Sequence, residues 1–353
     1  MTPLNTSLVI VLACFAAVLT ASRPAGCTEP PPALLRVPML TAPNAPAGVR
    51  ALPTAVAGFR SLDGRSLPAQ QTEVRLAFDH RRLYIAFRCF EDRMDGLVTE
   101  HKDRDSWVHR DDSVAVFLVP DSRRGGCFQL GANAAGVMYD EKDIAAAPES
   151  WDGTWRVEIG REDSAWTALF SIPFAGLRVD SPKPGDRWTA NFARREKPHD
   201  EQSCWSPVGK ALHQFDRFGV LEFVGNREPT ASISPVSVVL PGKHTSVFFV
   251  RNPGESALSV RASYSSDGEV IATDDLNAGP GLSAFDRKFA FEQDGKRGLS
   301  IELADSSTGA VIARSPPIPV RIPPHLSRLT RYRSLVDSCA PRASKVPCRV
   351  PRE

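Results

Sequence analysis

Four carboxylates, an indole and an imidazole are crowded into one stretch, Asp103 to Pro120, which reads DRDSWVHRDDSVAVFLVP. Asp103, Asp105, Asp111 and Asp112 are the acids, with Trp107 and His109 between them. From Asp112 to Val119 the residues turn apolar and β-branched, the composition of a strand buried on at least one face. A polar loop that runs straight into a buried strand sets reactive side chains at the rim of a rigid scaffold. Asp111 and Asp112 would serve as a glycosidase acid and base only with a second carboxylate across a cleft. Neighbouring strand residues point to opposite faces, so these two cannot form that pair if both lie in the strand. Taken singly, either acid can also be a loop cap that accepts backbone N–H groups.

Other chemistries find no support. The chain has no GxSxG, no P-loop, no metal-hydrolase pattern and no HExxH. Intrinsic catalysis is not expected. Its seven cysteines include no CxxC pair, which removes zinc ribbons and thioredoxin-like redox motifs. A net charge of +2 over 353 residues gives no reason to expect a nucleic-acid partner. The basic excess is confined to the last thirty residues, with seven Arg/Lys against two acids.

The elements that must position the acidic loop are short strands. Leu8 to Thr20 is an apolar run too short to span a bilayer and suited to a secretory h-region, with small residues behind it. Residues 1–22 are read as a signal peptide, so the chain is expected to be exported: periplasmic, extracellular or on the cell surface. Ala25-Gly26-Cys27 partly resembles a lipoprotein box, which makes Cys27 a candidate lipid anchor. Residues 23–53 are rich in proline and alanine and read as an extended linker. The 30 prolines of the chain favour turns over helices.

Alternating segments then recur at Thr72–Phe78, Leu83–Phe90, Cys127–Asn133, Gly136–Tyr139, Thr154–Gly160, Ala165–Ile172, Arg187–Arg194 and Phe218–Val224. That spacing, with turn residues between, indicates an all-β sandwich over residues 54–225. Trp155, Trp166 and Trp188 fall on these strands as core residues, and Phe174–Leu177 can form one helical turn. Residues 230–323 carry a second set of alternating segments, the size of an immunoglobulin-like β-sandwich. Residues 324–353 form a basic, proline-rich tail.

The ordered motifs LYIAFRCFED, RDSWVHRDDSVAVFL, FQLGANAAGVMYD, AWTALFSIPFAGL, GDRWTANFARRE and CWSP…FGVLEF resemble the family 9 carbohydrate-binding modules. The resemblance covers about residues 54–224. It implies a β-sandwich that binds a polysaccharide or oligosaccharide through an aromatic clamp and polar side chains, as an accessory module of polysaccharide breakdown or in glycan recognition. Trp107 lies close to the family's first clamping tryptophan. Gln129 and Asn133 match polar positions on the adjacent strand, and the second tryptophan falls near Leu212 or His213. The family's arginine falls on Gly131. The family's structural calcium implies loop ligands such as Asp92, Asp95, Asp111 and Asp112. The same superfamily contains haem-binding electron-transfer domains, for which Met138, Met94 and His109 are candidate axial ligands. A third reading is a structural surface protein with a degenerate sugar site.

Export makes a direct prediction. The mature chain is expected to begin after residue 22, or at a lipidated Cys27. Mass spectrometry of the secreted or membrane fraction reads this, and an intact Met1 in the cytosol would contradict it.

Overall fold

A computed structural model describes residues 31–40, 48–120, 126–142, 151–240, 243–290 and 295–322. The signal segment, Cys27 and the basic tail lie outside these. The described residues form twenty-one strands and four short 3-10 turns, with no α-helix. None of their elements is a helix long and apolar enough to cross a membrane. At Phe174–Leu177 the chain makes a single hydrogen-bonded turn, with Gly176 N–H to Pro173 O at 3.0 Å and Leu177 N–H to Phe174 O at 3.1 Å.

Two sheets make the first sandwich. One has five strands in the order Thr54–Val56, Thr72–Phe78, Arg82–Phe90, Ala165–Pro173 and Arg156–Glu162. The facing sheet runs Leu34–Pro38, Gly219–Val224, Arg187–Glu196, Ser113–Val119, Phe128–Asn133 and Met138–Lys142. Alternation decides what lies between them. Val114, Val116 and Leu118 of the central strand point into the main core, as do Phe128, Leu130 and Ala132 of its neighbour. Rings meet across the gap, with Phe78 edge-on to Phe223 at 5.0 Å and Phe87 edge-on to Phe192 at 6.2 Å.

Turn chemistry sets the hairpins. Asp79 Oδ1 accepts the N–H groups of Arg81 and Arg82, and Tyr84 donates its hydroxyl to Asp79 Oδ2. In the next hairpin Asn133 Oδ1 accepts from Ala135 and Val137, and Gly136 takes a φ of 86°, a left-handed turn that suits glycine. Trp155, Trp166 and Trp188 are core residues as expected. Trp205 is buried too. Its ring would stand 2.4 Å from a Cβ added at Gly219, so only glycine fits there.

The second sandwich has its own core. Thr230–Leu240, Lys243–Asn252 and Gly281–Ala290 form one sheet. Glu269–Ala278, Leu258–Ser266, Gly295–Asp305 and Val311–Arg314 form the other, with Ile318–Ile322 paired to Gly295–Asp305. Ile233, Phe248, Val250, Tyr264, Ile301 and Leu303 fill the space between them.

The proline-rich leader departs from its reading as a linker. Leu34–Pro38 is a strand buried at every position. It pairs in parallel with Gly219–Val224 and antiparallel with Val311–Arg314, so one hydrogen-bonded sheet runs through both sandwiches. Five residues buried on both faces show no alternation and were hidden by flanking prolines, and Pro38 is tolerated because it ends the strand.

Leu35 lines the seam where the two sandwiches meet, together with Trp205, Ile233 and Ala313. Leu35→Ala is expected to lower the unfolding free energy by about 2–5 kcal/mol. All six tryptophans lie in the first sandwich, so their fluorescence and the far-UV circular dichroism of the whole chain report different regions. The two signals should move together in a urea titration. Separate transitions with only one shifted would contradict the joining role of this strand.

Candidate functional site

The acidic loop is built around two buried carboxylates at the head of the central strand. Asp111 and Asp112 are both fully buried, and their side chains leave in different directions. Asp112 accepts Val98 N–H at 2.7 Å and Lys197 N–H at 3.0 Å, tying the loop to the far end of the Arg187–Glu196 strand. Asp111 accepts the N–H groups of Glu100 and His101, the His101 Nδ1 at 3.0 Å and the Asn133 amide at 2.8 Å. The capping reading of these acids is the one the geometry supports.

Electrostatics follows from these partners. Burial pushes the Asp111 pKa up, but the hydrogen bonds from His101 and Asn133 outweigh it, and the carboxyl ends below its ordinary range. Asp112 goes the other way. Its burial dominates the two backbone bonds and raises the pKa.

Behind Asp112 lies a second knot. Arg194 and Glu91 form an ion pair at 3.1 Å with neither side chain exposed. Arg194 also donates to the carbonyls of Gln71 and Phe90, stitching the facing sheets at this end. Glu91, Asp112 and Glu196 bring carboxylate oxygens within 4.8 Å of one another, and the carboxylates of Glu91 and Asp92 lie as close to an imidazole nitrogen of His199. The expected calcium set of Asp92, Asp95, Asp111 and Asp112 does not converge on one point among the described residues. The lone pairs of Asp111 and Asp112 already face N–H donors, and the Arg194 guanidinium supplies the positive charge beside Glu91. That four-residue set does not fit a calcium ion.

The expected ligand-binding residues part company. Asn133 is fully buried. Its amide donates to His101 O and Asp111, and its oxygen accepts from Ala135 and Val137. A side-chain amide has two donors and two acceptor sites, so nothing is left for a ligand. Asn133 shapes the loop and is removed from the contact set.

Gln129 shares a face with Asn133, as alternation requires. Its Oε1 stands 3.3 Å from His213 Nε2. His213 is exposed on the segment that closes the domain. Its ring lies edge-on to Phe117 at 6.0 Å and tilted to Phe215 at 6.5 Å. This packing lowers its pKa, opposed by Glu141. Between Gln129 and Asn133, Val108 covers Gly131, with its Cγ2 3.8 Å from where a Cβ would stand. The outer face of the Phe128–Asn133 strand is therefore roofed by His213, Val108 and His101 in turn.

Trp107 stands outside that roof. It caps the 3-10 turn Val108–Arg110 and is 55% exposed. Arg110 N–H bonds Trp107 O at 2.9 Å, and the Arg110 guanidinium carbon lies 3.9 Å from the centre of the indole. Residues three apart eclipse in such a turn, and this Trp-x-x-Arg spacing was the signal for Arg110 that the loop's acids obscured. The haem candidates have different surroundings. Met94 and Met138 pack against the main core, while His109 lies beside Trp107 with ring centres 5.7 Å apart.

No family model matches the chain, and no curated protein matches it. Among solved structures, it is similar to a putative carbohydrate-binding protein from Bacteroides uniformis at 14% identity and a TM-score of 0.46. That match covers 54% of this chain and 99% of the other. It is also similar to a family 9 carbohydrate-binding module from Caldicellulosiruptor kristjanssonii in complex with glucose. There the identity is 12% and the TM-score 0.40, over 54% of this chain and 96% of the other. Identities and TM-scores this low carry no argument about function, which rests on the side chains of the loop.

The opposed shifts at the loop give a pH prediction. Asp111, with a lowered folded pKa, contributes stability that is present above the unfolded carboxylate pKa and is lost as pH falls through the folded one. Asp112 and Glu91, with raised folded values, gain stability in the opposite sense as pH falls between their folded and unfolded pKa. Asp111→Asn places an amide donor against the N–H groups that Asp111 now accepts. It is expected to cost about 1–3 kcal/mol at neutral pH and to reduce the loss of stability on acidification. Urea unfolding across the acid range measures both, and an unchanged acid limb would refute the assignment.

Proposed function

We propose that the first sandwich is a non-catalytic carbohydrate-binding module of an exported protein, which holds a glycan or its chain end against Trp107. The observation that carries this is the exposure of Trp107, the one large aromatic that stands exposed among the described residues. An indole face stacks on the apolar C–H face of a sugar ring. Burial is the usual fate of tryptophan, and the other five are buried or partly so. The platform is also rigid, because Asp111, Asp112 and Asn133 fasten the loop on both sides.

The six ordered motifs that resemble family 9 modules support the same reading. Gln129 and His213 supply polar groups on the rim towards the closing segment. Asn133 acts only through the loop. The role of such a module is to hold its chain near plant-type polysaccharide such as xylan or cellulose, or to recognise glycans.

With one platform, stacking contributes about 1–3 kcal/mol, by analogy with stacking on bases. Dissociation constants are then on the order of micromolar to millimolar. Trp107→Ala is expected to abolish binding in calorimetry and to leave the melting temperature nearly unchanged. Loss of folding in that variant, or no ligand for the wild type across a broad glycan array, would overturn the proposal.

A further inference from the structure

Resting on that reading, the surroundings of Trp107 speak to which sugars it selects. Arg104 and Arg110 belong to the same loop and have opposite environments. Arg104 is held by Asp140, with Asp152 at 2.7 Å and Asp105 at 3.6 Å. Arg110 has no carboxylate within ion-pair distance among the described residues. Its partner is the π-face of Trp107 at 3.9 Å. A cation–π contact holds a guanidinium in place without consuming its N–H donors, whereas a carboxylate occupies two of them at once. Arg110 is thus held on the ring at an exposed position, with no protein acceptor for its guanidinium N–H groups among the described residues.

Two imidazoles stand beside it. His109 lies 5.7 Å from the Trp107 ring. Its pKa is lowered by burial and then by the charges of Arg110 and His101, so the three groups share one neighbourhood. His101 has its Nδ1 on Asp111, which leaves the other ring nitrogen uncommitted by that bond. The nearby acids do not offset the charge of Arg110. Asp111 is buried and turned to its own four donors, and Asp105 bonds Asp140 N–H and faces Arg104.

We infer that the Trp107 platform selects an anionic sugar, a ring bearing a carboxylate or a sulfate ester, with Arg110 binding the anion while the indole supports the ring. A planar guanidinium fork matches either group bidentately. A neutral glucan offers its hydroxyl oxygens as acceptors but no charge to pair with the guanidinium.

The test is calorimetry on the full chain with three probes of equal length: a neutral cello-oligosaccharide, an oligogalacturonate and a sulfated galactan oligosaccharide. The expected result is at least about tenfold tighter binding of one or both anionic probes than of the neutral one, and which of them binds identifies the anion. That preference should shrink as sodium chloride is raised through the range where exposed charges are screened. Arg110→Gln keeps an amide over the indole and is expected to remove the preference for the anionic probes. Circular dichroism confirms that the variant is folded. Equal affinity for all three probes would overturn the charge selection and leave carbohydrate binding intact. Tighter neutral binding in Arg110→Ala would also overturn it, since Arg110 would then be a cover over the ring. Failure of every probe to bind would overturn this inference together with the function on which it rests.

Discussion

Two consecutive buried carboxylates hold the functional end of this molecule together. Asp111 and Asp112 sit where the central strand begins, and between them they accept hydrogen bonds from three separate segments of chain. A carboxylate buried this way is costly to desolvate, and the cost is offset only when each oxygen meets donors of good geometry. The loop has no freedom to move without exposing those oxygens. Trp107 inherits its position from that constraint, as does the short turn that lays Arg110 across it. The adjoining Arg194–Glu91 pair applies the same logic one layer deeper, and fastens the two sheets where hydrophobic packing gives out.

Most of the fold was legible because alternation is a local signal. The strands around Leu83–Phe90, Ser113–Val119 and Ala165–Pro173 each write their buried face in every second residue, and turn residues punctuate them. Among the strands that escaped, three have identifiable reasons. Leu34–Pro38 is buried on both faces, so it has no alternation, and its neighbouring prolines suggest a linker. Glu201–Cys204 is too short to show a period. Glu269–Ala278 is an edge strand with little buried surface, so its residues follow solvent more than packing. The sandwiches also looked separable by sequence, because the pairing that joins them links residues far apart in the chain.

The site was legible in part, and the division has a physical cause. Exposure of Trp107 follows from its place in a polar loop, which the sequence displays. The fates of Asn133 and Gln129 depend on what covers their face. That is decided by Val108, His101 and His213, arriving from three other segments. A residue-by-residue likeness to a family preserves the strand and the register, as it did here. It does not preserve the roof. Where the likeness expects an arginine, Gly131 lets Val108 descend onto the sheet, and the positive charge stands at Arg110, on the rim.

The strand Leu34–Pro38 has a consequence for how the chain assembles over time. Arg36 bonds Glu222, 186 residues later, and Arg314 bonds Pro32 O across 282 residues. A ribosome releases both of these partners well after the strand itself. Until then a short apolar segment close to the amino terminus has exposed ladder edges and nothing to pair with. Contacts of such long separation slow folding, because the loop entropy must be lost before the contact forms. Completion of that pairing therefore waits on Val311–Arg314, which holds the strand from its other side.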